Sequence, residues 1–371
     1  MKYLLPVEKI FTVLVFLLFS FMPVFSAEND KYIPIDLFIS GHPSESGLMN
    51  SFKEIVSSPA SPIQERPSKT VKVAAIYPGI QKSDYWRSSV KAMSKRLDEL
   101  NIPHEILTYF SKPSGNFRRQ ALQLSEVLKS DVDYVAVSVD NENIKRLITA
   151  TLASGKPKVF IQNLTTPFER WEDTPPFMYV GFDHLQGARM IAEKYSSLFP
   201  DGASYLMLYG SNGTVSEQRG KGFELYALSK GLSPVAKFYT NFSSEKAYDS
   251  VMKSLKRGDK FSFIYACSTD IAIGAAKALE DAGLTGEIAL NGWGGAKQEL
   301  ELIKIGKLDF TIMRMTDDSG VAIAEAIKMD MIGETDKTPR IFSGEFATIT
   351  SDMNPDIINR LTERALRYSG R

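Results

Sequence analysis

Cysteine and histidine are both scarce in this chain of 371 residues: Cys267 stands alone, and the histidines are His42, His104 and His184. A lone cysteine excludes an intramolecular disulfide, so the fold has to be stable through core burial alone. That suits a bacterial periplasm better than a disulfide-stapled extracellular module. Cys267 lies in the apolar run FSFIYACS and reads as a small buried hydrophobe rather than a nucleophile. The three histidines are far apart, with no HExxH or comparable ligand spacing. A nucleophile elbow GxSxG, a P-loop and a GxGxxG between strand and helix are also missing. An excess of charge of one sign is missing too. The 44 basic and 44 acidic residues cancel, which speaks against nucleic acid as a partner and against a solvating acidic tail. Catalysis is therefore poorly supported, and no cofactor or metal site is expected.

What is present begins with a leader. Lys2 and Lys9 precede the apolar run IFTVLVFLLFSFM, shorter than the roughly 20 residues of a membrane span, and Val24 and Ser26 are placed as small residues before a cleavage point. Residues 1–26 read as a signal peptide cut after Ser26, with an uncleaved anchor as the alternative. Export to the periplasm follows, with no membrane insertion of the mature chain. Residues 27–70 form an N-terminal extension whose end, SSPASPIQERPSK, reads as a proline-rich linker.

From Val71 short apolar strands alternate with amphipathic helices: VKVAAIYP, HEILTYF, YVAVSVD and KVFIQNL, then SYLMLYGS, FSFIYACS, EIALNGWG and DFTIMRM. This is the pattern of parallel sheets covered on both faces. The length suits two such units, since single cores stop growing near roughly 250–300 residues. The expectation is two Rossmann-like lobes, 71–183 plus 295–338 and 184–294 plus 339–371. Two Rossmann domains of an enzyme and two lobes of a binding protein share this pattern.

In either case ligands sit outside the carboxyl ends of the strands. The strands end in Gln81, Ser83 and Trp86; in Asp140; in Asn163 and Thr165; in Arg219; in Thr269 and Asp270; in Trp293; and in Arg314. Indole faces, neutral hydrogen-bonding side chains and two forked cations suit a sugar-like or anionic polyhydroxylated ligand. Each has a bland alternative. Ser83 or Asp84 could cap the following helix, the tryptophans could be packing aromatics, and the arginines could be structural ion pairs. Asp183 and the pair Asp317-Asp318 read as helix caps.

The stretches YPGIQKSDYW, QNLTTPFERW, FMYVGFDHLQGAR, FIYACSTDIAIGA, NGWGG, IMRMTDDSG and ALRYS, in this order from Val71 to the C-terminus, resemble the LuxP-type family of autoinducer-2 receptors. The resemblance implies a type I periplasmic-binding-protein fold, two lobes joined by three crossovers with the ligand between them. It implies a furanosyl borate diester as ligand, with boron present only as part of it. Gln81, Ser83, Trp86 and Asn163 would line the first lobe, and Arg219, Thr269, Asp270 and Trp293 the second, with Arg314 as the second arginine around the borate. It also implies a partner, the periplasmic domain of a LuxQ-type membrane sensor histidine kinase. A sugar-binding protein of an importer or chemoreceptor is the alternative. One departure is local: Ile80 precedes Gln81 where the family has two glutamines.

Overall fold

The computed structural model describes residues 31–113, 117–139 and 141–370; the expected signal peptide and Asp140 lie outside them. The extension is not a plain linker. It forms helices α1 (Ile35–Gly41) and α2 (Pro43–Ser57), and Phe52 and Val56 of α2 are fully buried against the first lobe. Glu45 accepts from the Arg340 N–H at 2.9 Å and ties α2 to the segment before a strand of that lobe. Among the described residues no helix is long and apolar enough to cross a membrane.

The first sheet holds β1 (Val71–Tyr77), β2 (His104–Phe110), β3 (Tyr134–Val137), β4 (Lys158–Gln162) and β5 (Met178–Gly181) with the late strand β11 (Ile341–Ser343), in the order β11-β5-β4-β3-β1-β2, all parallel. The second holds β6 (Ala203–Tyr209), β7 (Leu232–Tyr239), β8 (Phe263–Ala266), β9 (Ala289–Gly294), β10 (Phe310–Arg314) and β12 (Phe346–Thr350), in the order β12-β10-β9-β8-β6-β7, with β12 antiparallel to β10. Side chains alternate across a strand, so in β1 Val73, Ala75 and Tyr77 enter one core while Ala74 and Ile76 enter the core on the other face. Burial on both faces is why these strands read as continuous apolar runs.

The helices that matter for the site start where strands end: α3 (Tyr85–Glu99), α6 (His184–Leu198), α7 (Thr214–Leu228), α9 (Thr269–Asp281), α10 (Lys297–Lys304) and α11 (Asp318–Met331). The chain passes between sheets three times, after Gly181, after Arg314 and after Ser343. This corrects the expected boundaries. Residues 295–314, with α10 and β10, belong to the second lobe, and β11 belongs to the first, because strand pairing joins β10 to β9 and β11 to β5.

The hinge region carries a dense polar network. Asp317 and Asp318 do not cap α11. The Asp317 carboxylate accepts from the Tyr368 and Ser369 N–H groups at 2.7 and 2.8 Å, and Asp318 takes a bidentate pair from Arg364 of the last helix, α12 (Pro355–Ala365). Beside them Arg96 and Glu325 form a buried ion pair between α3 and α11, both 1 % exposed and 2.6 Å apart from Nε to the carboxylate. Removing one member of such a pair strands a buried charge. Glu325→Ala is expected to lower unfolding stability by about 3–5 kcal/mol, whereas Arg96→Met with Glu325→Leu loses far less. Urea unfolding of the three proteins measures the difference; equal losses would show that the pair itself, rather than the stranded charge, matters.

Candidate functional site

The carboxyl ends of β1, β4, β8, β9 and β10 face one another across a cleft. Nine of the eleven residues singled out at the strand ends line it, Gln81, Ser83, Trp86, Asn163, Arg219, Thr269, Asp270, Trp293 and Arg314, whereas Thr165 is buried away from it and Asp140 lies outside the described residues. Most are buried despite their polarity, with Ser83, Asn163, Arg219, Thr269, Asp270 and Arg314 all under a tenth exposed.

The first-lobe wall is aromatic and braced. Trp86 stacks on Tyr77 with centroids 4.6 Å apart and meets Tyr85 edge-on at 4.9 Å. The Tyr77 hydroxyl donates to the Gln162 Oε1, and the Gln162 amide donates to Ser89 Oγ at 2.8 Å, so β1, β4 and α3 are cross-linked directly beneath the cleft. Asn163 follows β4 in the left-handed region, with φ of 67°, a conformation asparagine tolerates better than most residues. A side chain at Gly181 would sit 2.9 Å from the Asn163 Cα, so the glycine lets the turn pack there. The Asn163 Oδ1 is buried without a protein partner among the described residues. Of the proposed caps, Asp84 makes no capping bond and instead pairs with Arg87, while Ser83 Oγ receives only a long 3.4 Å contact from the Tyr85 N–H. Asp183 does cap α6, accepting from Leu185 and Gln186 at 2.9 and 3.1 Å.

The second-lobe wall carries the charge: Arg219 is on α7, and Arg314, which the expected boundaries put in the first lobe, ends β10, so both stand in the second lobe. Arg219 lies 4.7 Å over the Trp293 ring, donates from Nη1 to the Cys267 carbonyl at 3.1 Å, and donates from Nε to His184 Nδ1 at 3.3 Å. Cys267 is buried, as its apolar surroundings imply. Arg314 lies 4.2 Å over Tyr85 and 5.7 Å from Phe182. No described residue accepts a hydrogen bond from its guanidinium, and its Nε is buried without a partner. Burial, with the like charge of Arg219 second, pulls its pKa down to about 10. Glu299, fully buried, accepts from the Trp293 and Gly295 N–H groups at 3.0 and 2.8 Å and so sets the turn beneath Arg314. Gly294 in that turn has φ of 129°, and a Cβ there would meet the Arg314 Nη2 at 2.8 Å, so only glycine lets the guanidinium lie where it does. Trp293 Nε1 also lacks a partner among the described residues.

Three contributors were not legible as site residues. Tyr85 and Phe242 line the cleft, and His184 supports it from below. Asn241 and Phe242 both adopt left-handed backbone, which for Phe242 costs about 1–3 kcal/mol and holds its ring against Gly210. His184 donates from Nε2 to the Asn163 carbonyl at 2.8 Å, which requires the tautomer whose Nδ1 accepts from Arg219. It is thus a neutral bridge between the walls. Burial, then the Arg219 charge, hold its pKa well below the ordinary histidine value. A depressed folded-state pKa contributes stability that is complete above the unfolded value near 6.5 and is lost as pH falls toward the folded one. The stability gap between the wild type and His184→Gln is expected to shrink by about 1.4 kcal/mol per pH unit below pH ~6. Urea unfolding of both proteins at pH 7.5, 6 and 5 tests this; a constant gap would mean that His184 takes up its proton alike in the folded and unfolded states.

The cleft holds two guanidinium groups and, among its described lining residues, one carboxylate, Asp270, whose pKa burial raises. No group of side chains suited to a metal ion occurs among the described residues. The arrangement suits reversible capture of a small ligand with hydroxyls and negative charge; among the described residues nothing in it pairs a nucleophile with a base.

The fold has counterparts in known proteins. The D-allose-binding periplasmic protein of Escherichia coli (strain K12) is 23% identical over 270 residues, covering 69% of this chain and 84% of that protein. The fructose import binding protein FruE of Bifidobacterium longum (strain NCC 2705) is 23% identical over 283 residues, covering 75% and 84%. A solute-binding protein of an ABC transporter from Agrobacterium vitis, solved with bound D-fucose, superposes with a TM-score of 0.71 at 15% identity over 78% of this chain and 98% of that one. These relatives are named as binding proteins rather than enzymes. Residues 73–335 match the family described as periplasmic binding protein domain, and the chain belongs to that family.

Proposed function

We propose that this chain is an exported receptor that closes on a small polyhydroxylated anion, the borate diester of autoinducer-2, and whose closed form is read by the periplasmic domain of a LuxQ-type membrane sensor histidine kinase. The observation that carries the reading is Arg314: a buried guanidinium, stacked on Tyr85, with a like charge nearby and no hydrogen-bond acceptor among the described residues. An unpaired buried cation is unfavourable in the unliganded protein and becomes favourable when a ligand supplies the anion. Trp293 Nε1 and Asn163 Oδ1 offer one further donor and one acceptor for ligand oxygens. The boron centre belongs to the ligand, and no cofactor is part of the proposal. Export rests on the N-terminal sequence pattern and on the family.

Signalling through closure has a definite energetic demand. Shifting the lobes from 1:99 to 99:1 closed takes about 5.5 kcal/mol of differential affinity, and charge-assisted bonds worth about 1.5–3 kcal/mol each make two arginines a sufficient source. A neutral sugar delivered to an importer is the second reading, and the relatives, named for sugar binding or import, favour it over the first. The residues that serve a sugar are the same; what separates the readings is what answers the charge on Arg314.

A thermal-shift series on the mature, ligand-free protein decides between them, using the autoinducer-2 precursor with and without borate, and D-allose and fructose without it. A ligand that binds only the folded state raises the midpoint once its concentration exceeds Kd. A rise that depends on borate supports the receptor; a rise with either sugar and none with the precursor supports the importer reading. Arg314→Met is expected to abolish the borate-dependent rise while increasing the unliganded stability by about 1–3 kcal/mol, because it removes an unsatisfied buried group. Arg219→Met is expected to abolish the rise without that gain, since Arg219 has protein acceptors. Unchanged affinity in both variants would overturn the site assignment.

A further inference from the structure

Asp270 lines the cleft, yet both of its carboxylate oxygens are already engaged, and by the opposite lobe. Oδ1 accepts from the Lys82 N–H at 3.0 Å and Oδ2 from the Ser83 N–H at 3.3 Å. Asp270 is in the first turn of α9 in the second lobe, and Lys82 and Ser83 belong to the loop that follows β1 in the first. We infer that Asp270 is a closure latch, a second-lobe carboxylate seated in a backbone socket of the first lobe, and that it favours the closed form with no ligand present.

The socket is built for this. Arg87, two residues into the exposed side of α3, donates from Nη1 to the Gly79 carbonyl at 2.7 Å and from Nη2 to the Gln81 and Ser83 carbonyls at 3.2 and 3.4 Å, while its Nε holds Asp84 at 3.0 Å. Collecting the carbonyls on one side leaves successive amides of the loop on the other, the arrangement by which backbone N–H groups bind an anion. The base of the loop is fixed to the neighbouring strand end, where the Ile80 N–H donates to the Ser111 carbonyl at 3.0 Å. The Ile80 side chain itself is about half exposed, at 47%, so the residue that departs from the receptor pattern contributes its backbone here. The anion has to come from the other lobe, since Asp84, the acidic residue within the loop, is turned toward Arg87. In the open form Asp270 and the two amides regain water, so the latch adds a modest bias that ligand binding then completes.

Arg87 and Asp270 are positioning residues in this scheme, and the inference holds whether the ligand is a borate diester or a neutral sugar. The test therefore omits ligand altogether. Spin labels on exposed engineered cysteines, one per lobe, report the interlobe distance; buried Cys267 does not compete for label. The unliganded wild type is expected to show a measurable closed fraction, which falls about tenfold in Asp270→Asn, the scale of a lost charge-assisted bond. Arg87→Met is expected to produce a similar fall by disordering the socket, and the double variant to go no further than either single one. Melting midpoints of the variants establish that each is folded. A wild type with no closed fraction, or variants that keep the wild-type distance distribution, would overturn the latch and return Asp270 to the role of a ligand contact alone.

Discussion

Two guanidinium groups are buried in one cleft, and the second-lobe wall is arranged around holding them there. Arg219 is made tolerable by the Cys267 carbonyl, the Trp293 face and a histidine kept neutral so that it can accept. Arg314 has aromatic faces beside it and no hydrogen-bond acceptor among the described residues. A lobe built for stability alone would not place them so, because each removal from water is unfavourable and their charges repel. On the proposed reading, the unfavourable term is concentrated where an anionic ligand would relieve it, and so becomes binding specificity.

The surroundings follow from that constraint. Glu299 fixes the turn at Gly294 and Gly295; the missing side chain of Gly294 leaves room for the Arg314 guanidinium, and that of Gly295 for Met313. His184 links the Asn163 carbonyl of one lobe to the Arg219 Nε of the other, so a polar group on each wall is oriented by the same imidazole. The chain crosses between lobes three times, and the segment after Arg314 begins within three residues of the network that joins Asp317 and Asp318 to the C-terminal residues. Cleft and hinge are therefore adjacent in the chain as well as in space.

How much of this was legible depends on the range of the interaction. The strand-end residues from Gln81 to Arg314 were readable because a parallel strand covered on both faces writes a continuous apolar run, and ligand groups follow its carboxyl end. Asp183 as a cap was readable for the same reason, since its partners are two and three residues away. His184 was not: its partners are 21 and 35 residues distant, and a solitary histidine at a helix start carries no spacing signal. Phe242 gave none either, because its left-handed backbone is imposed by packing against Gly210 rather than by its own preference.

The sequence by itself determined the alternation of strands and helices, the two-unit architecture, the chemistry offered at the strand ends and the absence of a disulfide or a metal-ligand motif. Those properties are local, set by side-chain type and by periods of 2 and 3.6 residues. Only the tertiary structure decided which sheet β10 and β11 join, that both arginines stand in one lobe, that α2 packs on the first lobe, and that Asp270 meets the amides of Lys82 and Ser83 across the cleft. Strand order and interlobe contacts are set by which buried surfaces and hydrogen bonds are satisfied together over long separations, such as the 188 residues between Lys82 and Asp270, and no local pattern encodes that choice.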